Sequence, residues 1–207
     1  AIKISVLYVN PISVASFRLI IASIFLLIFF FYKKYSYNLT LKEFFLIILI
    51  GIIGNIIPFF LINWSEQFIQ SNTTALLLSV APIFTLILAP FLTRDDNFTL
   101  LKFVSIFIGL LGVFFIIGFD SIYNFKDNES HFIPKFAIIV AAMGYVISSI
   151  LAYNLKNIDT MTLTTFVITA AAVISIPFMI YAELFYPSSF NGTSFLTIVY
   201  LGLFPTA

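Results

Sequence analysis

The stretch LIIASIFLLIFFFY, residues 19–32, decides the fold class because its side chains are apolar on nearly every side of a helix. A helix on the surface of a soluble protein keeps a polar face, whereas a helix surrounded by lipid is apolar all round. With the apolar residues before it, the stretch is long enough to cross a hydrocarbon core of about 30 Å. A transmembrane β-barrel would instead show segments of about ten residues in which apolar and polar side chains alternate. The stretch therefore predicts a membrane-spanning helix.

The composition of the whole chain indicates the same class of protein. Of its 207 residues, 61% are hydrophobic and 9% are charged, against about 25% charged in an ordinary soluble protein. Repeated long apolar stretches predict an all-α integral membrane protein, a polytopic helical bundle. The predicted spans are 11–32, 43–66, 73–93, 99–119, 133–155 and 160–182, with partial spans at 1–9 and 193–207. Both ends of the chain look cut from a longer protein.

Several kinds of chemistry lack the residues that they need. The chain has no cysteine and one histidine, His131, which falls in a polar loop. No pair of carboxylates lies within the predicted spans. We therefore expect no enzyme, no catalytic residue, no metal ion and no cofactor. The net charge of +1 gives no indication of a nucleic-acid partner.

Lysine and arginine predict the orientation, because they concentrate in cytoplasmic loops. One of the two alternating sets of connections carries most of these residues, and we expect that set to be cytoplasmic. The stretch INWSEQFIQSN, residues 62–72, then lies at the outer surface, with Gln70, Ser71 and Asn72 in a turn. The basic residues of the cytoplasmic set are Lys33, Lys34, Lys42, Arg94, Lys102 and Lys156.

Polar residues on one face of the span 43–66 are the first candidates for a site. At about 100° per residue, Asn55, Phe59 and Glu66 share a face, and Asn63 lies about 80° away. An amide or a carboxylate that faces lipid is costly, so this face should look into the bundle or into a cavity. We expect Asn55 to line a cavity or to bond a neighbouring helix. For Glu66, a solvated carboxylate at the helix end and a residue at a cavity mouth both remain open.

Other spans add three polar residues of interest. Ser79 shares a face with Pro82 in a helix that proline should kink. Tyr145 could present its ring and hydroxyl to a cavity, or could form an ordinary hydrogen bond between helices. Arg18 lies about two turns inside the outer end of its span, so we expect it to extend outward to the surface rather than to bind substrate.

Small residues in two spans are expected at close contacts between helices. The first set is IGLLGV, residues 108–113, and the second is the series Ala137, Ala141, Gly144, Ser148 and Ala152.

An internal repeat relates two distant segments. KEFFLIILIGIIGNI, residues 42–56, and TSFLTIVYLGLFPTA, residues 193–207, align without gaps, pairing Gly51 with Gly202 and Asn55 with Thr206. An odd number of predicted spans separates their starts, so the two copies should cross the membrane in opposite senses. Inverted repeats of this kind build secondary transporters, with the binding site near the membrane midplane. Thr206 is therefore a candidate cavity residue together with Asn55.

Three segments resemble the EamA-type permeases of the drug/metabolite transporter superfamily. They are NPISVASFRLIIAS at 10–23, the run from GIIGNIIPFFLINWSEQ to LTRDD at 51–96, and LLKFVSIFIGLLGVFFII at 100–117. The resemblance implies a ten-helix permease of two inverted five-helix repeats in the cell membrane, with both termini cytoplasmic. It implies a first repeat over 1–119 with a truncated first span, an outer loop over 120–132, and a second repeat over 133–207 that stops early in the eighth span.

The same resemblance implies transport of small metabolites such as amino acids. One departure is that Arg94, Asp95 and Asp96 stand where many relatives carry a Gly-Glu pair. Because the centres of the spans hold no Asp or Glu, the sequence favours efflux down a gradient, or proton coupling through residues outside this chain.

We therefore predict a carrier that works by alternating access, with a small-molecule substrate and the lipid bilayer as its partners. A lipid scramblase or flippase, or a non-transporting membrane scaffold of the same architecture, is the alternative. A homodimer remains open.

Overall fold

The computed structural model describes residues 1–35, 37, 39–92, 99–117 and 132–206. Every regular element in these ranges is helical, as predicted. The elements are α1 (Ile2–Ser5), α2 (Pro11–Tyr32), α3 (Leu41–Gly51), a π-turn (Ile52–Ile56), α4 (Ile57–Ser65), α5 (Ser71–Leu78), α6 (Ala81–Leu92), α7 (Leu100–Ile117), α8 (Phe132–Tyr153), α9 (Thr160–Phe185) and α10 (Gly192–Leu203).

Five stretches of helix in the described ranges are long and apolar enough to cross a membrane, which confirms the polytopic helical class. They are Pro11–Tyr32, Leu41–Ser65, Ser71–Leu88, Phe132–Tyr153 and Thr160–Phe185. The shorter apolar helices Leu100–Gly109 and Gly192–Leu203 accompany them.

Several predicted features lie outside the described residues. They are His131, the group Arg94, Asp95 and Asp96, and nearly all of the predicted outer loop 120–132.

Helix α2 is the central element of the bundle, and it packs against α4, α9 and α10. Asn10 begins it, because the Asn10 side chain accepts a hydrogen bond from the Ile12 amide (3.0 Å) and Pro11 has no amide that needs a partner. Against α9, the hydroxyls of Ser23 and Thr169 lie 3.0 Å apart. Small side chains and short hydrogen bonds thus hold α2 and α9 together where no water is available.

The second long span is interrupted by the π-turn between α3 and α4. Pro58 has no N–H to donate to the carbonyl of Gly54, four residues earlier. The helix widens by one residue at this point, and the Ile57 amide donates to the Ile52 carbonyl, five residues earlier. Such turns interrupt helices and often occur at functional sites.

Helix α8 approaches this turn closely because Gly144 has no side chain. A Cβ at Gly144 would lie 2.7 Å from the carbonyl oxygen of Ile53. Gly54 leaves the corresponding space on the turn, since its Cβ would lie 2.4 Å from the Cβ of Ser148. The close contact that the small residues of this span predict is therefore present.

The two predicted repeat segments begin in the same way. Thr40 starts α3 with a capping box in which its side chain and that of Glu43 bond each other's backbone amides. Asn191 starts α10 with the same arrangement, and its partner is Ser194. Both pairs differ by 151 residues, which is the offset of the sequence alignment.

The two aligned glycines also make equivalent contacts. A Cβ at Gly51 would lie 3.1 Å from the Val167 carbonyl on α9, and a Cβ at Gly202 would lie 3.2 Å from the Arg18 carbonyl on α2. Each glycine therefore lets its helix approach the backbone of a long neighbour. An inverted repeat would produce matching contacts of this kind.

The third span is broken between α5 and α6, as the prolines predict. Helix α5 ends at Leu78 and α6 begins at Ala81, immediately before Pro82, which cannot donate to the Leu78 carbonyl. The expected turn at residues 70–72 is wrong for Ser71 and Asn72, because α5 already begins at Ser71, whereas Gln70 precedes the helix. The Ser71 hydroxyl donates to the Glu66 carboxylate (3.0 Å) and does not cap the helix.

The contact predicted for IGLLGV is also wrong within the described chain. A Cβ at Gly109 or at Gly112 would meet no heavy atom within 4 Å. The main contacts of helix α7 among the described residues are with α5 and α6, and these two glycines face open space.

The glycine contact of α8 gives a test of the fold. Gly144→Ala should destabilise the protein by about 1–3 kcal/mol, since the new methyl group meets a backbone oxygen that cannot move aside easily. Gly109→Ala is the matched control, because the same methyl group enters open space in another helix. Thermal unfolding in detergent measures both variants. Equal unfolding temperatures for the two would contradict the packing described.

Candidate functional site

Arg18 lies inside the bundle, whereas the sequence led us to expect its side chain to extend to the outer surface. Its side chain is only 5% exposed. The guanidinium carbon lies 4.1 Å from the centre of the Phe59 ring on α4, and Nη2 donates a hydrogen bond to Thr206 Oγ1 (3.2 Å). The prediction was wrong because α4 and the end of α10 cover the side of α2 along which the side chain would have to extend.

The hydrogen bonds of Arg18 are incomplete. Its Nε is buried and has no hydrogen-bond partner. The hydroxyl of Thr206 is held in place because it donates to the Leu201 carbonyl (2.7 Å). Within the described part of the chain no carboxylate forms an ion pair with Arg18, although Glu66 and Tyr145 lie near enough to interact with its charge.

Tyr145 connects this arginine to an open cleft. Its ring packs against Phe59 edge to face, with 6.5 Å between the ring centres. On its other side, Tyr145 lines a cleft of about 320 Å³ between α6, α7 and α8. Its hydroxyl makes no hydrogen bond to any described residue. The residues that line the cleft are Ala81, Pro82, Thr85, Ile106, Tyr145, Val146 and Ser149.

The break in the third span forms one wall of this cleft. Pro82 lines the cleft directly. Ser79, a predicted site residue, ends α5, and its hydroxyl donates to the Leu76 carbonyl (2.6 Å). In this structure Ser79 therefore satisfies a carbonyl at the helix end and stabilises the break beside the cleft.

Asn63 and Glu66 are buried at the end of α4. The Asn63 side chain is fully buried, its amide donates to the Pro11 carbonyl (3.2 Å), and its Oδ1 has no partner. The Glu66 carboxylate is 4% exposed and accepts the hydrogen bond from Ser71. Of the two alternatives left open for Glu66, the solvated carboxylate does not agree with this burial.

Asn55 lies in the π-turn and is half-buried. Its side chain has no hydrogen-bond partner among the described residues, in contrast to Thr206, the residue paired with it in the repeat. The structure thus brings together Phe59, Tyr145 and Thr206 around Arg18. Asn63 and Glu66 bond separate partners, Pro11 and Ser71, and neither Ser79 nor Asn55 bonds to any of these residues.

A larger cavity of about 390 Å³ lies between α2, the π-turn and α9. Its lining is aliphatic and aromatic except for Ser16 and Ser175, and both serine hydroxyls already donate to backbone carbonyls. Sites for small molecules combine apolar walls with a few free polar groups. The cleft at Tyr145 therefore fits a solute site better. No group of three or more potential metal ligands occurs among the residues that the structure describes.

Arg18 is a candidate functional residue that the sequence did not lead us to include in the site. An ionisable residue within a membrane span is a functional candidate by default. Its own helix also carried a signal, because Ser13, Ser16 and Ser23 lie on both sides of it and are buried. At about 100° per residue the three serines lie on the side of α2 opposite Arg18, so both sides of this part of the helix carry polar residues that avoid lipid.

Comparison with known proteins gives concordant results. Residues 1–118 match the EamA-like transporter family. An uncharacterized transporter of Archaeoglobus fulgidus is 37% identical over 114 residues, which are 55% of this chain and 40% of the relative. Two uncharacterized transporters of Bacillus subtilis also match. YdfC is 30% identical to this chain, and the match covers 95% of this chain and 62% of YdfC. YoaV is 22% identical, and the match covers 100% of this chain and 70% of YoaV.

One solved structure, described as the crystal structure of a protein, has the same fold. The match covers 98% of this chain and 69% of the chain in that structure. Its TM-score is 0.72 and the sequence identity is 15%. The chain spans 40% to 70% of the length of the curated relatives named above. Because the family match covers more than half of the chain and five helical stretches can cross a membrane, the chain is a multi-pass membrane protein of the EamA-like transporter family.

Proposed function

We propose that the full-length protein carries small organic solutes, amino acids or related compounds, across the cell membrane by alternating access, in the direction of efflux. The observation that supports this proposal is the cleft of about 320 Å³ at the broken third span. Its size suits a small solute. Tyr145, which lines the cleft, also packs against Phe59 beside the buried Arg18, so movement of this one ring would connect the cleft with polar atoms in the bundle.

The two interrupted spans suit a protein that changes conformation. A helix break leaves backbone carbonyls without partners and lets the two halves move relative to one another, and both are common beside transport pathways. Here the break at Pro82 borders the cleft, and the π-turn lies directly against α8, which carries Tyr145. Movement of α5 and α6 against α8 would widen or close the cleft.

Lipid scrambling is less well supported by the described residues. A lipid head group needs polar atoms along a groove that is open to the bilayer. The cavity that borders the exposed side chains of Ile57 and Phe178 is apolar, and its serines are already bonded. A homodimer remains compatible with all of these contacts.

Counterflow in proteoliposomes tests the proposal directly. Vesicles that contain the full-length protein are loaded with unlabelled amino acids and related metabolites, and the entry of each labelled solute is measured. Saturable exchange of at least one solute is expected. If no solute of the panel is exchanged and fluorescent phospholipids move between the leaflets, the protein is a scramblase and not a carrier. Absence of both would indicate a scaffold.

The hydroxyl of Tyr145 can be tested with a conservative substitution. Tyr145→Phe should lower the rate of exchange several-fold, because a hydroxyl without a partner among the described residues is lost beside the cleft while the packing on Phe59 remains. Tyr153→Phe, the same change on the same helix outside the cleft, is the matched control and should leave the rate unchanged. Equal rates for both variants would remove the Tyr145 hydroxyl from the pathway.

The two asparagines should separate transport from stability. Asn55→Leu should lower exchange and leave membrane insertion and unfolding temperature intact, since its amide bonds no described residue. Asn63→Leu should destabilise the protein by roughly 1 kcal/mol, because the hydrogen bond to the Pro11 carbonyl is lost. Exchange and thermal unfolding are measured for both. Normal exchange by Asn55→Leu would exclude Asn55 from the site.

A further inference from the structure

We propose that Arg18 binds the carboxylate of the transported solute, and that the rings of Phe59 and Tyr145 separate this binding position from the cleft. This inference rests on the proposed carrier function and names the chemical class of its substrate. It is carried by the geometry around the guanidinium group and by the donor that this geometry leaves without a partner.

A buried arginine normally has a negative partner. Removing a guanidinium from water is costly unless an anion and hydrogen-bond acceptors replace the water. Arg18 is 5% exposed, and within the described ranges it has the Phe59 ring and the Thr206 hydroxyl as partners but no ion pair. An aromatic face and a neutral hydroxyl compensate the charge only in part. Glu66 acts on this charge only from a distance, so within the described chain the guanidinium has no anion in contact with it.

Arg18 keeps donor hydrogens on nitrogens that a carboxylate recognises. Nε–H has no acceptor, and Nη2 carries a second hydrogen besides the one donated to Thr206. Nε and an Nη on the same edge form a planar fork that matches the two oxygens of a carboxylate. Phe59 supports the flat face of the guanidinium, and Thr206 fixes one end, so the fork is held in a defined orientation.

The two aromatic rings control access to this fork. Arg18 lies over Phe59, Phe59 contacts the edge of Tyr145, and Tyr145 lines the cleft. A solute in the cleft thus reaches Tyr145 first. Displacement of the Tyr145 ring would open the way past Phe59 to Arg18, and its return would enclose the bound carboxylate. Alternating access requires an enclosed state of this kind.

Binding to the full-length protein in detergent tests the inference without requiring transport. Thermal unfolding is followed with increasing concentrations of leucine, phenylalanine and threonine and, in parallel, of their primary amides, which keep the side chain and lose the carboxylate. At least one amino acid should bind about tenfold or more tightly than its amide. Decanoate, a fatty acid, tests whether the carboxylate belongs to a lipid instead of a water-soluble solute. Tighter binding of decanoate than of every amino acid would overturn a water-soluble solute as the ligand.

Substitutions test whether Arg18 causes the preference for the carboxylate over the amide. Arg18→Gln should bring the ratio of carboxylate to amide affinity close to one, and Arg18→Lys should lower it, because the charge remains but the fork is lost. Thr206→Val should weaken carboxylate binding several-fold and leave amide binding unchanged. Ser23→Ala is the control on the same helix, since Ser23 is buried and bonds Thr169 on α9, away from Arg18. Its ratio should equal that of the unmodified protein.

Three results would overturn the inference. They are binding of the amides as tightly as the acids, a folded Arg18→Gln variant that keeps the preference, and no stabilisation by any acid or amide. If Arg18→Gln does not fold, Arg18→Lys and Thr206→Val decide, and an unchanged ratio in both overturns it. Counterflow is measured separately. Exchange of amino acids and amides at equal rates would support the carrier function and contradict the proposed carboxylate site.

Discussion

The close packing of α2 within the bundle is the contact on which the rest of the structure depends. Gly202 lets α10 approach the backbone of Arg18, and this approach brings Thr206 to the guanidinium. On another side, α4 places Phe59 against the same group. A membrane interior offers no water to a charged side chain, so neighbouring helices must supply every partner that the arginine has.

The polar groups of the bundle fall into two kinds. Several buried hydroxyls bond a carbonyl or a hydroxyl of a neighbouring helix, as Ser16 bonds the Ser175 carbonyl and Ser23 bonds Thr169, and these bonds hold the helices together. Arg18 Nε and Asn63 Oδ1 are the exceptions in the described chain, because both are buried without a partner. Native proteins rarely leave such groups unpaired. Arg18 Nε lies next to Phe59, whose ring contacts Tyr145 at the cleft, so this unpaired group is connected with the path proposed for the solute.

The sequence predicted the features that depend on one helix at a time. Apolar length located the spans, Pro82 located a break, and the small residue Gly144 located a close contact. Features that depend on neighbouring helices were harder to predict. Gly109 looked equivalent to Gly144 and faces open space. Arg18 lay near a helix end, and only the placement of α4 and α10 shows that its route to the surface is covered.

The most direct test of the account is whether water reaches Tyr145 from the cleft. Residues 1–207 contain no cysteine, so a single cysteine is introduced at Tyr145, any cysteine outside this range is replaced by serine, and the protein is treated with a water-soluble, membrane-impermeant thiol reagent. A cysteine at Ala171, which is fully buried between helices, gives the baseline. The account predicts rapid labelling at position 145 and none at 171. A cysteine at 145 that is as unreactive as one at 171 would contradict a solute path through this cleft.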